Sequence, residues 1–291
     1  MDKPDVRILL ENLNNDDWKV RIKSVFELKN FNDQQVTDVL IERLNDDNEN
    51  VWLAVANVLK NRSDPRITES LINTLTEDSR KEVKWHSAYY LGEMGEPKAV
   101  DALIKSLSDP CVEVRINAAK ALGKIGEVKA VEYLTQALED RDPIVRKEAI
   151  SSINLLSPTR SVDALIKALS DEDKRVRSLA AILAGKTKAS EAFETLISTL
   201  NDEDYIVRIS AVYAIDKIGG EQAINPLIKA LKDLYWEVRS DAATALGKIG
   251  DSDVIVPLLE TLKDDNRFVR KSALKALQRF DIFKKSIDKG E

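Results

Sequence analysis

The chain has 291 residues, 32% of them charged and 5% aromatic, with one cysteine, one histidine and a formal net charge of −6. One cysteine and one histidine exclude an internal disulfide and a zinc site built from Cys and His, and the acidic balance argues against general affinity for phosphate backbones. No apolar run is long enough to cross a membrane, and acidic residues interrupt the start MDKPDVRILLENLNNDD, so there is no signal-peptide core and a cytoplasmic location is expected.

A pattern of 31 residues recurs along the chain, and its clearest copy is VRINAAKALGKIG, Val114–Gly126. The same slots hold Val20–Arg21, Val51–Trp52, Val83–Lys84, Val145–Arg146, Val176–Arg177, Val207–Arg208, Val238–Arg239 and Val269–Arg270, with one extra residue between the second and third copies. A repeat of this length is the signature of a solenoid. Each copy predicts two helices. In the fourth, helix A covers about Ala99–Asp109 and helix B about Val112–Ile125, with Val114, Ala118, Leu122 and Ile125 on one buried face. Neither helix buries its stripe alone, so stability has to come from stacking on neighbouring copies.

In chain order, the copies occupy approximately 4–32, 33–64, 65–96, 97–127, 128–158, 159–189, 190–220, 221–251 and 252–281, within a single solenoid over 1–291 that ends in a polar tail, 282–291, read as a cap. The first two copies depart most. Lys29 and Lys60 replace the glycine of Gly123, and Arg62–Ser63 replace Ile125–Gly126. Gly95, Gly219 and Gly250 share the helix-ending slot of Gly126. The fifth copy ends Asn154–Leu155–Leu156–Ser157–Pro158 without either glycine, where a change of curvature is expected. Asp142–Pro143 and Asp173 suit the starts of their B helices, and Pro226 and Pro257 the first turns of their A helices.

An aspartate stands five residues before the valine in every copy but the first, where Asn15 takes the slot, and an arginine follows the valine in seven copies. Carboxylates in such numbers suggest either acid–base chemistry or a structural ladder. A catalytic pair would not recur in every repeat, so a ladder tying copy to copy is expected, to which the planar guanidinium fork is suited.

A two-helix unit of 31 residues with Asp and Arg six apart, followed by A-A-x-A-L-G-x-I-G, resembles the short HEAT-like repeat of the phycobilin lyase type, from about Val6 to Phe280. The resemblance implies an all-α fold, a right-handed α-solenoid of about nine repeats, with the B helices lining its concave face. Relative to the valine, the −2, +2, +3, +6 and +10 positions of helix B point away from the packed side. The −2/+2/+6 stripe is aromatic in places: Trp18, Ile22 and Phe26; Trp85 and Tyr89, with His86 alongside; Tyr205, Ile209 and Tyr213; and Trp236 beside Tyr235. Aromatics at helical spacing serve as core or edge packing, or as anchors for a partner.

The expected function is a non-enzymatic scaffold that binds a protein or peptide through Trp18, Phe26, Trp85, His86, Tyr89, Tyr205, Ile209, Tyr213 and Trp236. No cofactor or metal is expected: with His86 as the sole histidine, HEAT-like di-iron hydroxylase chemistry lacks its repeated His-Glu pairs. Two alternatives stand beside this reading. The resemblance admits a bilin- or chromophore-lyase-like subunit. The +10 row Lys124, Lys186, Lys217, Lys248 and Arg279 admits a nucleic-acid-binding solenoid, although cations at helix C-termini also complement the macrodipole.

Overall fold

A computed structural model describes residues 5–280, so the tail 282–291 read as a cap lies outside the described residues. The described residues form eighteen α-helices with short 3-10 turns and no strand. They alternate as A and B helices: α1 (Val6–Asn12) and α2 (Trp18–Leu28), α3 (Gln34–Glu42) and α4 (Glu49–Leu59), α5 (Pro65–Glu77) and α6 (Lys81–Met94), α7 (Val100–Ser106) and α8 (Val112–Ile125), α9 (Val131–Gln136) and α10 (Pro143–Leu156). Then follow α11 (Val162–Ala168) and α12 (Lys174–Thr187), α13 (Phe193–Thr199) and α14 (Tyr205–Ile218), α15 (Ile224–Ala230) and α16 (Trp236–Ile249), α17 (Ile255–Thr261) and α18 (Arg267–Leu277). The chain packs as two α-solenoid units that part after Ser157. That is the junction where α10 ends at Ser157 (φ −155, ψ 84), without a left-handed cap.

Local chemistry sets the helix ends. Asp142 accepts a hydrogen bond from the Ile144 amide with Pro143 at the first helical position, and Asp173 caps α12 through the Arg175 amide. Gly126 closes α8 at φ 90, ψ 6, a conformation costly for any residue with a Cβ. The A helices are shorter than the sequence predicts. In the fourth repeat a 3-10 turn, Pro97–Ala99, precedes α7, which stops at Ser106.

Within each unit the B helices form the inner layer, pressed closely together, while the A helices touch one another sparsely. Along α8, Val114, Ala118, Ala119 and Leu122 are fully buried, so the packed arc is wider than the single stripe predicted. The distance between B helices depends on one slot, nine residues after the valine. A Cβ on Gly92 would lie 2.7 Å from the Ala121 Cα, and one on Gly123 2.5 Å from the Ser152 Oγ. Gly185 against Ala214 and Gly247 against Ala276 are equally tight, at 2.7 Å and 2.4 Å. Interiors packed to this density do not absorb an added methyl without shifting backbone. Where Lys29, Lys60 or Asp216 fills the slot, α2–α4, α4–α6 and α14–α16 pack more loosely.

The Asp–Arg pattern builds the expected ladder. Arg115 donates through Nε and Nη2 to both carboxylate oxygens of Asp140 in the next repeat (2.7 and 2.9 Å) and through Nη1 to the Asp109 carbonyl in its own (2.9 Å). Arg177–Asp202, Arg208–Asp233 and Arg239–Asp264 repeat the two-pronged bond. The same aspartates accept the amide two residues on, as Asp140 does from Asp142. Each rung therefore satisfies a charge taken out of water and pins a turn at once. The second repeat has Trp52 in place of the arginine, and Arg80 of the third reaches back instead, to the Asp46 carbonyl (2.8 Å) and the Asp47 carbonyl (3.1 Å). Arg62, where other repeats carry the Ile before the closing glycine, donates to the Phe31 carbonyl (2.8 Å) and Thr37 Oγ1, stapling α2 to α3.

Candidate protein-binding surface

The two departures in the first repeats have a local consequence. Trp52 is wholly buried, its ring centre 6.4 Å from that of His86 and 6.2 Å from that of Tyr90, so a bulky indole stands between α4 and α6 where other repeats carry arginine. With lysine rather than glycine at Lys29 and Lys60, nothing draws α2, α4 and α6 into backbone contact. An open groove of about 510 Å³ lies across the three helices, lined by Ile22 and Phe26 of α2, Asn50, Leu53, Ala54 and Asn57 of α4, and Trp85, His86, Tyr89 and Tyr90 of α6.

The lining follows from the repeat register. Ile22, Leu53 and Trp85 occupy the +2 slot of successive copies, and Phe26, Asn57 and Tyr89 the +6 slot. No carboxylate lines the groove, and two lysines stand beside it: Lys60 is 5.8 Å from the centre of the Tyr90 ring and Lys124 5.7 Å from that of Tyr89. Phe26 is 52% and Tyr89 39% exposed, while Trp85 and His86 are half-buried. The rings buttress one another: Trp85 stacks on His86, and Tyr89 meets Tyr90 edge-on at 5.3 Å. His86 Nδ1 donates to the Glu82 carbonyl (2.7 Å), which leaves Nε2 as the acceptor of the neutral ring. Burial lowers the His86 pKa below its ordinary value, and burial, with Tyr89 adding to it, pushes the Tyr90 hydroxyl up to about 12. At neutral pH the groove has neutral, aromatic side chains of its own, with two asparagine amides among them and Lys60 and Lys124 beside the tyrosine rings. It suits an apolar segment whose main chain needs both a donor and an acceptor.

The remaining predicted residues do not share that groove. Trp18 stands at the N-terminal end of α2, 37% exposed, with the Lys19 ammonium 5.8 Å from its ring. In the second unit, Ile209 and Tyr213 are half-buried on α14. A Cβ on Gly185 would meet the Tyr213 ring at 3.2 Å, and Lys217 lies 5.5 Å from that ring's centre, so Tyr213 is engaged in packing between repeats. Tyr205 and Trp236 start their helices, each stacked on a neighbour: Tyr205 on Tyr235 at 4.5 Å, Trp236 on Phe268 at 5.2 Å. Sequence reasoning passed over Tyr90, Leu53, Asn50 and Asn57. Tyr90 is itself buried, at the groove's floor, while Leu53, Asn50 and Asn57 are accessible between helices whose spacing, with Trp52 buried between α4 and α6, the sequence did not record.

The basic row is partly neutralised. Lys124 pairs with Glu93, Lys248 with Asp216 (2.6 Å), and Lys217 lies over Tyr213. Cys111 is half-buried at the start of α8, where its thiol donates to Glu113 Oε2 (3.0 Å). Among the described residues no cluster of His, Cys, Asp and Glu is arranged to hold a metal, and no helix is long and apolar enough to cross a membrane.

No curated protein sequence matches the chain. Among solved structures, the YibA protein of Escherichia coli is similar over 88% of this chain and 95% of its own, at 24% identity and a TM-score of 0.62. Importin beta is similar over 94% of this chain and 46% of its own, at 18% identity and a TM-score of 0.65. Kap95p, in a structure titled for its binding to RanGDP, is similar over 96% of this chain and 50% of its own, at 15% identity and a TM-score of 0.60. The chain thus spans about half the length of these two larger proteins, and likeness at such identities concerns the fold alone. The HEAT-repeat family model matches residues 6–73, 68–154, 162–235 and 224–288, leaving out the junction between the two units. With the matches covering most of its length, the chain belongs to the HEAT-repeat family.

Proposed function

We propose that this protein is a non-enzymatic scaffold and that the groove across α2, α4 and α6 binds a protein or peptide segment. The observation that carries the reading is the aromatic lining of that groove, beside the buried Trp52 and with lysine in place of glycine at Lys29 and Lys60. Phe26, Trp85, His86 and Tyr89 are the contact residues in the first unit; Ile209 and Tyr213 present a smaller surface in the second. Aromatic side chains clustered against a partner supply most of the binding free energy in protein interfaces, and a rigid scaffold loses little entropy on binding. The likeness in fold to Kap95p, which binds RanGDP, is consistent with this use of the fold.

The finer likeness to the phycobilin lyase type rests on the repeat motif. Lys60 and Lys124, beside the Tyr90 and Tyr89 rings, could meet a bilin's carboxylates, so the peptide reading rests on the aromatic lining and the two asparagine amides. The test is selection of binding peptides from a random displayed library, followed by calorimetry against Phe26→Ala and Trp85→Ala. Selected peptides are expected to weaken about tenfold or more against each variant at unchanged melting temperature. Peptides indifferent to both substitutions would remove the groove from consideration.

A further inference from the structure

The second unit carries a departure of its own. Four residues before the repeat's valine, five copies place an acid: Asp16, Asp47, Glu172, Glu203 and Asp265. Three of these acids help to hold the ladder arginine of the preceding repeat, Asp47 with Arg21 (2.9 Å), Glu203 with Arg177 (3.6 Å) and Asp265 with Arg239 (2.8 Å). The eighth copy has Leu234 in that slot. It is 85% exposed, more than any other large apolar side chain among the described residues. Arg208, which would meet an acid there, lies instead with its guanidinium 5.4 Å from the centre of the Tyr235 ring.

Leu234 is not a loose end. The ladder holds its backbone on both sides: Arg239 Nη1 donates to the Leu234 carbonyl (3.1 Å), and the Tyr235 amide donates to Asp233 (2.8 Å). Around it, Tyr205 stacks on Tyr235 and Trp236 on Phe268, and Ile206 is 47% exposed, so apolar surface runs across the N-terminal ends of α14, α16 and α18. An exposed apolar strip on a fixed backbone adds nothing to folding and marks a contact. Its surroundings carry a sign. Arg177–Asp202, Arg208–Asp233, Arg239–Asp264 and Lys174–Asp204 are paired off. The additional acids Glu203, Asp265 and Glu237 stand against Arg267, 4.7 Å from the Phe268 ring, and Arg270, which donates to the Asp264 and Asp265 carbonyls. The Glu203 and Asp265 side chains are 89% and 91% exposed, and Glu237 Oε2 is buried without a hydrogen-bond partner.

We propose that this edge is a second docking surface and that it takes a basic protein segment, an apolar side chain packed against Leu234 and Trp236 and flanked by lysine or arginine meeting Glu203 and Asp265. The groove across α2, α4 and α6 takes no part, so the two readings stand or fall separately.

Short fluorescein-labelled peptides repeating Lys-Lys-Leu, Lys-Lys-Ser and Glu-Glu-Leu test it by anisotropy on the whole chain. Lys-Lys-Leu is expected to bind about tenfold tighter than either of the others, and to weaken as salt rises from about 50 to about 300 mM. Leu234→Glu installs the residue the seventh copy carries, so its melting temperature is expected to hold or rise, while affinity for Lys-Lys-Leu falls about tenfold. Charge attraction alone would make Leu234→Glu bind tighter, and that result overturns the proposal. It is also overturned if Lys-Lys-Ser or Glu-Glu-Leu binds as well as Lys-Lys-Leu, or if no peptide binds. Sedimentation showing a dimer that Leu234→Glu dissociates would assign the strip to self-association instead.

Discussion

From α6 to α10 and from α2 to α6, the first unit uses one repeat to make two different inner surfaces. In the first stretch, Gly92 and Gly123 let helices approach closely, and the groove across them is smaller, about 340 Å³, and carries Lys120, Lys124 and Glu148 in its lining. In the second, lysines fill the glycine slot, Trp52 replaces the ladder arginine, and an aromatic groove opens. The comparison teaches that the spacing of the B helices in this chain is set locally, by the one slot that decides how closely two helices approach. The proposed binding groove lies where that slot lapses.

The largest expected effect bears on the open stretch. Trp52→Ala removes a fully buried indole and should cost about 4 kcal/mol in a urea melt. Trp52→Phe should cost about 1 kcal/mol, because the indole N–H has no hydrogen-bond partner to lose. If the alanine variant melts like wild type, the indole does not hold α4 and α6 apart. The close-packed stretch is tested by Gly123→Val, whose Cβ would collide with Ser152; a loss of about 3 kcal/mol is expected. Lys60→Ala, in the corresponding slot of the open stretch, should stay within about 0.5 kcal/mol. Equal costs for the two substitutions would break the comparison.

A smaller effect separates the groove from the ladder by pH. The side-chain hydrogen bonds of Arg239 and Arg80 hold Asp264 and Asp78 below the ordinary 3.8. Their folded values are depressed, so their contribution is complete above 3.8 and is lost as pH falls below it. His86 is also depressed, from 6.5, but by burial. The unfolded chain therefore takes up its proton first, and stability begins to fall just below pH 6.5. His86→Gln should abolish the shallow loss near pH 6 and leave the steep acid loss unchanged. Melting temperatures across that range decide it.

Much of this fold was legible because a repeat sequence compares itself with itself. The valine of Val114 returns in every copy, the arginine of Arg115 in seven, and a small or apolar residue at the slots of Ala118 and Leu122 throughout, and the ladder and the helix pairs follow from them. The Trp85–His86–Tyr89 cluster was legible for the same reason, as an exception in slots free to vary. Two things were not. The substitution of Arg80 for the missing arginine of the second repeat uses a long side chain reaching back to another repeat's carbonyls, and no spacing rule records that. Nor does periodicity distinguish Tyr213, packed against Gly185, from Phe26, which shares its slot and is open. The difference lies outside the helix itself: Tyr213 packs against Gly185 of the preceding B helix, and α2 is the first B helix, with none before it.

The smallest expected change in stability is at Phe26, and it is the one that separates groove from core. The ring is 52% exposed beside Val25, which is fully buried. Phe26→Ala removes apolar surface that water already reaches, and should alter the melting free energy by no more than about 0.5 kcal/mol. Val25→Ala leaves a cavity between α2 and its neighbours and should cost about 2 kcal/mol. Adjacent residues on one helix then differ in the direction their faces imply, one held for packing and the other free of it. A cost at Phe26 matching that at Val25 would place its ring in the core of the first repeat and take away the groove's first wall.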